Sequence, residues 1–289
     1  MGDYLIDAGH LKAALPDQHW AVFDVRHNLT DPQEGYRQFL AGHIPGAQFL
    51  HQDSDLAGAC NGTNGRHPLP DPDVLNSRLH VLGLTPGKRI VVYDAETSVF
   101  AARAWWLLRW LGYQDVVILD GGWRAWCDAD GAQETTTDLA TIADNKPSPA
   151  VDKHRAKGLH MPIATASELE ADLADPALTL IDARDPVRYR GEQEPLDPVA
   201  GHVPGAINRP APDNLQADGH FKSPEALRQA YTALLEQTGP EQVVHYCGSG
   251  ITACHNLFAM ELAGLHGSRL FPGSWSQWCS DPGRPIAMG

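Results

Sequence analysis

Gly42-His43-Ile44-Pro45-Gly46-Ala47 is followed, 159 residues later, by Gly201-His202-Val203-Pro204-Gly205-Ala206. The two stretches differ only by Ile for Val, and the sequence around them extends the match. Upstream, Asp24-Val25-Arg26 returns as Asp182-Ala183-Arg184, each closing an apolar run, Trp20 to Phe23 and then Leu178 to Ile181. Downstream, Ile90-Val91-Val92-Tyr93 returns as Val243-Val244-His245-Tyr246. Gly121-Gly122-Trp123-Arg124-Ala125-Trp126-Cys127 returns as Gly273-Ser274-Trp275-Ser276-Gln277-Trp278-Cys279. The four matches keep their order at offsets of 158, 159, 153 and 152 residues. Solenoid units repeat every roughly 20 to 50 residues, so this spacing is that of a whole domain copied once.

Within each copy, short β-branched runs (Ile90 to Tyr93, Val116 to Leu119, Leu178 to Ile181, Gln242 to Tyr246) alternate with helical patterns over Pro72 to Leu82, Phe100 to Leu111, Pro224 to Glu236 and Ala253 to Leu262. Strands that alternate with helices predict an α/β fold, each copy a mostly parallel sheet with helices on both faces. Residues 131–158 are polar and broken by Thr135-Thr136-Thr137, Pro147 and Pro149, so they read as a linker between an N-terminal domain over 1–130 and a C-terminal domain over 159–289.

Composition narrows the function. Of the 289 residues, 22 are Lys or Arg and 36 are Asp or Glu, a formal charge of −14 that disfavours a nucleic-acid or anionic-membrane surface. An anionic ligand then needs a local basic pocket. No apolar run reaches the roughly 18 residues of a bilayer span, and Asp7, His10 and Lys12 interrupt the N-terminus where a signal peptide would be apolar. The expectation is a cytoplasmic enzyme. Five scattered cysteines, Cys60, Cys127, Cys247, Cys254 and Cys279, include no CxxC pair. They fit free thiols in a reducing compartment and predict neither a disulfide scaffold nor a metal site. No cofactor is expected.

Cys247 stands where chemistry is placed in such sheets. Val243 to Tyr246 reads as a buried strand, Cys247-Gly248-Ser249-Gly250-Ile251-Thr252 as a tight loop, and Ala253 onward as a helix. Ligands bind beyond the carboxyl ends of parallel strands, where the next helix offers unpaired N–H groups. Gly248 and Gly250 let the loop curl so that several backbone amides point inward at one atom, and Gly248, Gly250, Ile251 and Thr252 are expected to line the substrate. A nest of this kind holds a negative sulfur, first a thiolate and then a persulfide. The first copy has Asp94 in place of Cys247 and Glu96 in place of Ser249. A carboxylate carries no sulfur, so that half is expected to be catalytically silent.

These motifs resemble the rhodanese superfamily in its tandem-domain form, over nearly the whole chain. The loop Cys247-Gly248-Ser249-Gly250-Ile251-Thr252-Ala253 is similar to that of 3-mercaptopyruvate sulfurtransferases, in which Val usually replaces Ile251. Thiosulfate-preferring members carry Arg and Lys at the positions of Gly248 and Ser249. The resemblance implies transfer of sulfur from 3-mercaptopyruvate through a Cys247 persulfide to a thiol or cyanide acceptor, thioredoxin among the candidates. Thiosulfate sulfurtransferase activity is the alternative. A non-catalytic rhodanese-like regulatory module is a further one, although such modules usually lose the cysteine. A phosphatase of related fold needs arginine at the sixth position after the nucleophile, and Ala253 stands there.

The resemblance also implies the rest of the site. Arg188, in Arg184-Asp185-Pro186-Val187-Arg188-Tyr189-Arg190, takes the substrate carboxylate with its planar fork, and Arg190 supports it. Ser249 works with His67, in Gly65-Arg66-His67-Pro68-Leu69-Pro70, and with Asp53, both from the N-terminal half, to move a proton. A second substrate arginine, usual in a Glu-Pro-Arg stretch, is absent: the chain reads Glu194-Pro195-Leu196. His43 and His202 occur in both copies, including the one without a cysteine, and are expected to be structural.

Overall fold

The computed structural model describes residues 4–17, 19–136 and 160–289, and the chain divides into two compact units. The first comprises Met1–Gly58 and Pro70–His160, and the second comprises Ala59–Leu69 and Met161–Gly289. The division differs from the expected one at residues 59–69, which leave the N-terminal half and fold with the second unit. Of the expected linker, 137–158 lies outside the described residues. Residues before it pack on the first unit, where Glu134 forms an antiparallel bridge with His43.

In the first unit the strands β1 (Leu5–Ile6), β2 (Trp20–Asp24), β3 (Gln48–Phe49), β4 (Arg89–Tyr93) and β5 (Val116–Leu119) form a sheet of order β1-β5-β4-β2-β3, with every pair parallel. Val22, Val91, Tyr93, Val117 and Leu119 face the helices α1 (Ala8–Ala14), α2 (Glu34–Ala41) and α5 (Gly122–Asp128), meeting Leu11, Phe39 and Trp126. Their alternates Phe23, Ile90, Val92 and Ile118 are equally buried, and α4 (Val99–Trp110) packs against β4 and β5. Burial on both faces is why these strands read as unbroken apolar runs. The remaining helix, α3 (Pro72–Val81), starts on an Asp71 cap that accepts from the amides of Asp73 and Val74, with proline at its first turn.

The second unit repeats this plan with α6 (Ala166–Asp172), β6 (Thr179–Asp182), α7 (Pro186–Tyr189), β7 (Ile207–Asn208), α8 (Pro224–Leu235), β8 (Val243–Tyr246), α9 (Thr252–Leu262), β9 (Arg269–Leu270) and α10 (Ser274–Trp278). Its parallel sheet has the order β7-β6-β8-β9. Leu180, Val244 and Tyr246 pack with Leu169, Trp275 and Trp278, while Ile181, Val243 and His245 are buried on the other face. Among the described residues no helix is long and apolar enough to cross a membrane.

The four repeated motifs turn out to be parts of one structural joint. Arg26 pairs with Asp24 at 2.6 Å, donates to the Gly42 carbonyl at 2.6 Å and lies 4.7 Å over the Trp123 ring. Arg184 pairs with Asp182 at 2.7 Å, donates to the Gly201 carbonyl at 2.7 Å and lies 4.9 Å over Trp275. The hydroxyls of Tyr93 and Tyr246 accept from the amides of Ile44 and Val203. His43 stacks on Phe39 and bonds its carbonyl, and His202 does the same with Tyr189. One arginine thus ties a strand end, a turn and a tryptophan helix in each unit. A buried charge needs both its pair and its hydrogen bonds, so all these residues had to be kept together.

His245 makes the second unit sensitive to acid. It is fully buried on the α9 side of β8, with Nε2 3.2 Å from the Met260 sulfur. Burial, assisted by the charge of Arg209, lowers its pKa from 6.5 to about 3. Below pH 6.5 the unfolded chain takes up a proton that the folded chain refuses. This contribution to stability is therefore complete above that pH and is lost as pH falls towards about 3, by on the order of 5 kcal/mol in all. Urea unfolding at successive pH values checks it. Between pH 6.5 and 4.5 the native protein should lose about 2 kcal/mol more than His245→Leu, whereas parallel curves would mean that His245 does not titrate in this way.

Candidate active site

Cys247 follows the last residue of β8 and stands before α9, whose 11 residues begin at Thr252. Its sulfur accepts the Gly250 amide at 3.2 Å, and the residue is 2% exposed. The loop between them can curl only with glycine at 250. Gly250 has φ +84°, and a Cβ there would stand 2.3 Å from the Pro272 carbonyl oxygen. Three bonds from the α10 turn hold the loop in place: the Cys247 amide donates to Ser274 Oγ at 3.1 Å, and the amides of Trp275 and Ser276 donate to the carbonyls of Cys247 and Gly248, each at 2.9 Å. Trp275, the third member of the arginine joint, thus also fixes the cysteine backbone.

The first unit shows what the same place holds without a cysteine. Asp94 follows β4 and accepts from the amides of Ser98 at 3.0 Å, Phe100 at 2.9 Å and Ala101 at 3.3 Å. Burial raises its carboxyl pKa against the pull of these three amides, and the charge of Asp24 adds to the rise. The amide cluster at the start of α4 is occupied by the chain's own carboxylate. Glu96 pairs with Arg124 at 3.2 Å.

Ser249, 6% exposed, lies 2.8 Å from Nδ1 of His67. The histidine arrives on residues 59–69, a segment of the same unit. Gly65 has φ +88° and leaves no room for a side chain, since a Cβ would stand 2.7 Å from the Gly273 carbonyl oxygen. The next amide, that of Arg66, donates to Ser276 Oγ at 3.0 Å. The segment is therefore pinned to the turn that also holds Cys247.

Arg188 leans on Glu194, with Nη2 at 2.6 Å and Nε at 3.2 Å, and reaches Asp197 at 3.4 Å. Both carboxylates are only 3% exposed, while the Arg188 side chain keeps 18%. Burial alone would raise the Glu194 pKa. The hydrogen bond and charge of Arg188, with the amides of Leu196 and Asp197, outweigh burial and hold it below the usual glutamate range. For Asp197 burial wins, and its carboxyl is raised despite Arg66 and Arg188. Arg66 forms an ion pair with Asp197 and is the residue that the sequence reading passed over. The available signal was its place beside His67, but nothing local tells which way its guanidinium turns.

Cys247, Gly248, Ser249, Gly250, Ile251, Thr252, Arg188 and His67 are thus gathered in one unit. Arg190 is turned outward into a pair with Glu192 at 2.7 Å, its side chain 40% exposed. Asp53 belongs to the first unit. There its amide donates to His51 Nδ1 at 3.1 Å and its carboxylate lies 3.8 Å from His27. His27, His51 and Asp53 bring potential ligand atoms within 4.8 Å of one another. His51, however, already uses Nδ1 on that amide and Nε2 on the Pro32 carbonyl at 3.1 Å. The thiols near the cradle are engaged otherwise: Cys254 donates to the Gly250 carbonyl at 3.3 Å, and burial, reinforced by the charge of Asp197, raises the Cys279 thiol to about 11.

Known proteins resemble this chain in sequence and in fold. The family model of the rhodanese-like domain matches residues 7–129 and again 165–281. A probable 3-mercaptopyruvate sulfurtransferase of Pseudomonas aeruginosa is 45% identical over 287 residues, 99% of this chain and 98% of that protein. A putative thiosulfate sulfurtransferase, SseB of Mycobacterium tuberculosis, is 39% identical over 285 residues, covering 98% of this chain and 94% of its own. The structure of 3-mercaptopyruvate sulfurtransferase from Leishmania major superposes with a TM-score of 0.80 at 26% identity, over 95% of this chain and 74% of that one. With matched segments that fill both halves and a relative so close along its whole length, the chain belongs to the rhodanese-like family.

Proposed function

We propose that the protein is a sulfurtransferase that takes sulfur from 3-mercaptopyruvate onto Cys247 and passes it to a thiol or to cyanide. The observation that carries this reading is the sulfur of Cys247 seated on the Gly250 amide at 3.2 Å, at the head of α9. In the first half-reaction the Cys247 thiolate attacks the donor sulfur. The carbon–sulfur bond breaks, and its electron pair leaves as the enolate of pyruvate. That carbon gains a proton, and the persulfide keeps a negative charge, so that E–S⁻ and HS–CH2–CO–COO⁻ become E–S–S⁻ and CH3–CO–COO⁻. Ser249 and His67, 2.8 Å apart, form the acid–base pair that moves the proton to carbon. Arg188 receives the carboxylate. In the second half-reaction cyanide removes the outer sulfur as thiocyanate and restores E–S⁻, or a thiol such as that of reduced thioredoxin removes it in a cytoplasmic setting.

The first unit is silent in this scheme, because Asp94 fills its amide cluster. A regulatory module without chemistry would have no use for the cysteine, the glycine loop and the serine–histidine pair together. Thiosulfate remains the rival donor, given the name of the Mycobacterium relative. Steady-state kinetics with cyanide as the common acceptor test the donor. kcat/KM with 3-mercaptopyruvate should exceed that with thiosulfate by at least about tenfold, about 1.4 kcal/mol of transition-state preference. Thiosulfate ahead would overturn the assignment.

A further inference from the structure

The arginine joints of the two units differ at one edge of the guanidinium. In the second unit Arg184 holds two carboxylates: Asp182 takes Nε and Nη2, and Glu194, itself 3% exposed, takes Nη1 at 3.2 Å. In the first unit Asp24 takes Nε and Nη2 of Arg26 in the same way, and the Gly42 carbonyl takes Nη2 as well. Among the described residues none accepts from Nη1 of Arg26. Arg26 is buried, and it lines a cleft of about 410 Å³ together with Gln38, Ala41, Ala95, Trp123 and Gln133. We propose that this cleft is a second ligand site, which takes a small organic carboxylate with its anionic end on Nη1 of Arg26 and its apolar body against Trp123. The unit without a nucleophile then has a binding function of its own, whatever the reaction at Cys247.

The chemistry of the ligand is written in the other copy. A planar fork that spends one edge on a carboxylate keeps a second edge for another, and Glu194 fills that edge at Arg184. The acidic residues close to the cleft in sequence are engaged elsewhere. Glu34 accepts from Asn28 at 2.5 Å and from Gln38 at 2.9 Å, Glu96 pairs with Arg124 at 3.2 Å, and Glu134 accepts the Gly46 amide at 2.7 Å. A carboxylate at Nη1 of Arg26 therefore comes from outside the chain. The tryptophans differ in the same sense: Trp275 is fully buried, whereas Trp123 is half-buried and offers its ring as a wall. The small side chains of Ala41 and Ala95 leave the cleft open, and its volume lies within the roughly 300 to 1,000 Å³ of small-molecule sites. Asp24 already balances the charge of Arg26, so the affinity expected for a simple carboxylate is millimolar.

Benzoate and its neutral counterpart benzamide are the probes, titrated into the full-length protein by calorimetry. Benzoate should bind with a Kd of about 1 to 10 mM, and benzamide at least about tenfold more weakly, because only the anion makes the charge-assisted bond. Arg26 itself ties the joint, so the variants are made around it. Gln133→Glu, whose Oε1 precursor lies 3.3 Å from where a Cβ on Gly42 would stand, sets a fixed negative charge in the cleft at nearly constant shape. Ala41→Phe, at an exposed helix end, fills the space. Each should weaken benzoate at least about fivefold. Arg188→Ala, which removes a cation from the second unit, should change it less than about twofold, since distant sites act independently. Benzamide binding as well as benzoate, an affinity unchanged in either cleft variant, or binding lost in Arg188→Ala overturns the proposal. So does the lack of saturable benzoate binding up to about 50 mM, a concentration at which a site of millimolar Kd is filled.

Discussion

Protein incubated with 3-mercaptopyruvate is expected to gain the mass of one sulfur atom, and the Cys247→Ser protein is expected to gain none, with turnover reduced by on the order of 10⁴-fold or more. Serine keeps the shape of the side chain and its place on the Gly250 amide but cannot form the sulfur–sulfur bond. The other thiols offer no substitute in that position. Cys254 is engaged with the Gly250 carbonyl, the Cys279 thiol is raised to about 11, and burial raises Cys127. Cys60 is exposed, so the mass measurement is best made also on Cys60→Ser, which should behave as the native protein does. An added sulfur that survives in Cys247→Ser would remove Cys247 from the reaction.

The second large effect concerns the proton. Ser249→Ala and His67→Ala should each lower kcat for pyruvate release by about 100-fold, the lower end of what a positioned acid–base group contributes. Because Ser249 Oγ and His67 Nδ1 share one hydrogen bond, the double variant should fall little further than the worse single. The chemistry adds a sharper contrast. Sulfite leaving thiosulfate, and cyanide discharging the persulfide, involve no protonation of carbon. Both should therefore proceed in Ser249→Ala within a few-fold of the native rate, roughly what loss of one neutral hydrogen bond allows. Equal loss with both donors would mean that Ser249 shapes the loop and does not serve the proton.

The long elements were readable because their patterns are local. Helices expected over Pro72 to Leu82, Phe100 to Leu111, Pro224 to Glu236 and Ala253 to Leu262 appear as Pro72–Val81, Val99–Trp110, Pro224–Leu235 and Thr252–Leu262. Strands β3, β7 and β9 contain two residues each, too few to show any period, and they are strands only because a longer neighbour pairs with them. The repeated motifs were legible as a duplication but not as a joint. That Arg184, the Gly201 carbonyl and Trp275 meet is a matter of three-dimensional closure across about 90 residues.

The site divides along the same line. Cys247, its glycine loop and the following helix are consecutive, so strand, turn and helix signals place the sulfur beside amides before any fold is known. The linear chain by itself also carries the duplication and the parallel α/β class, since both are written in order and periodicity. Only tertiary structure decided that residues 59–69 fold with the second unit, bringing His67 onto Ser249 and turning Arg66 towards Gly248. It also decided that Arg190 faces outward. These outcomes depend on the direction of long side chains and on which buried carboxylate each one finds. Charge pairing acts through space between residues as far apart as 66 and 197, and no local pattern records it.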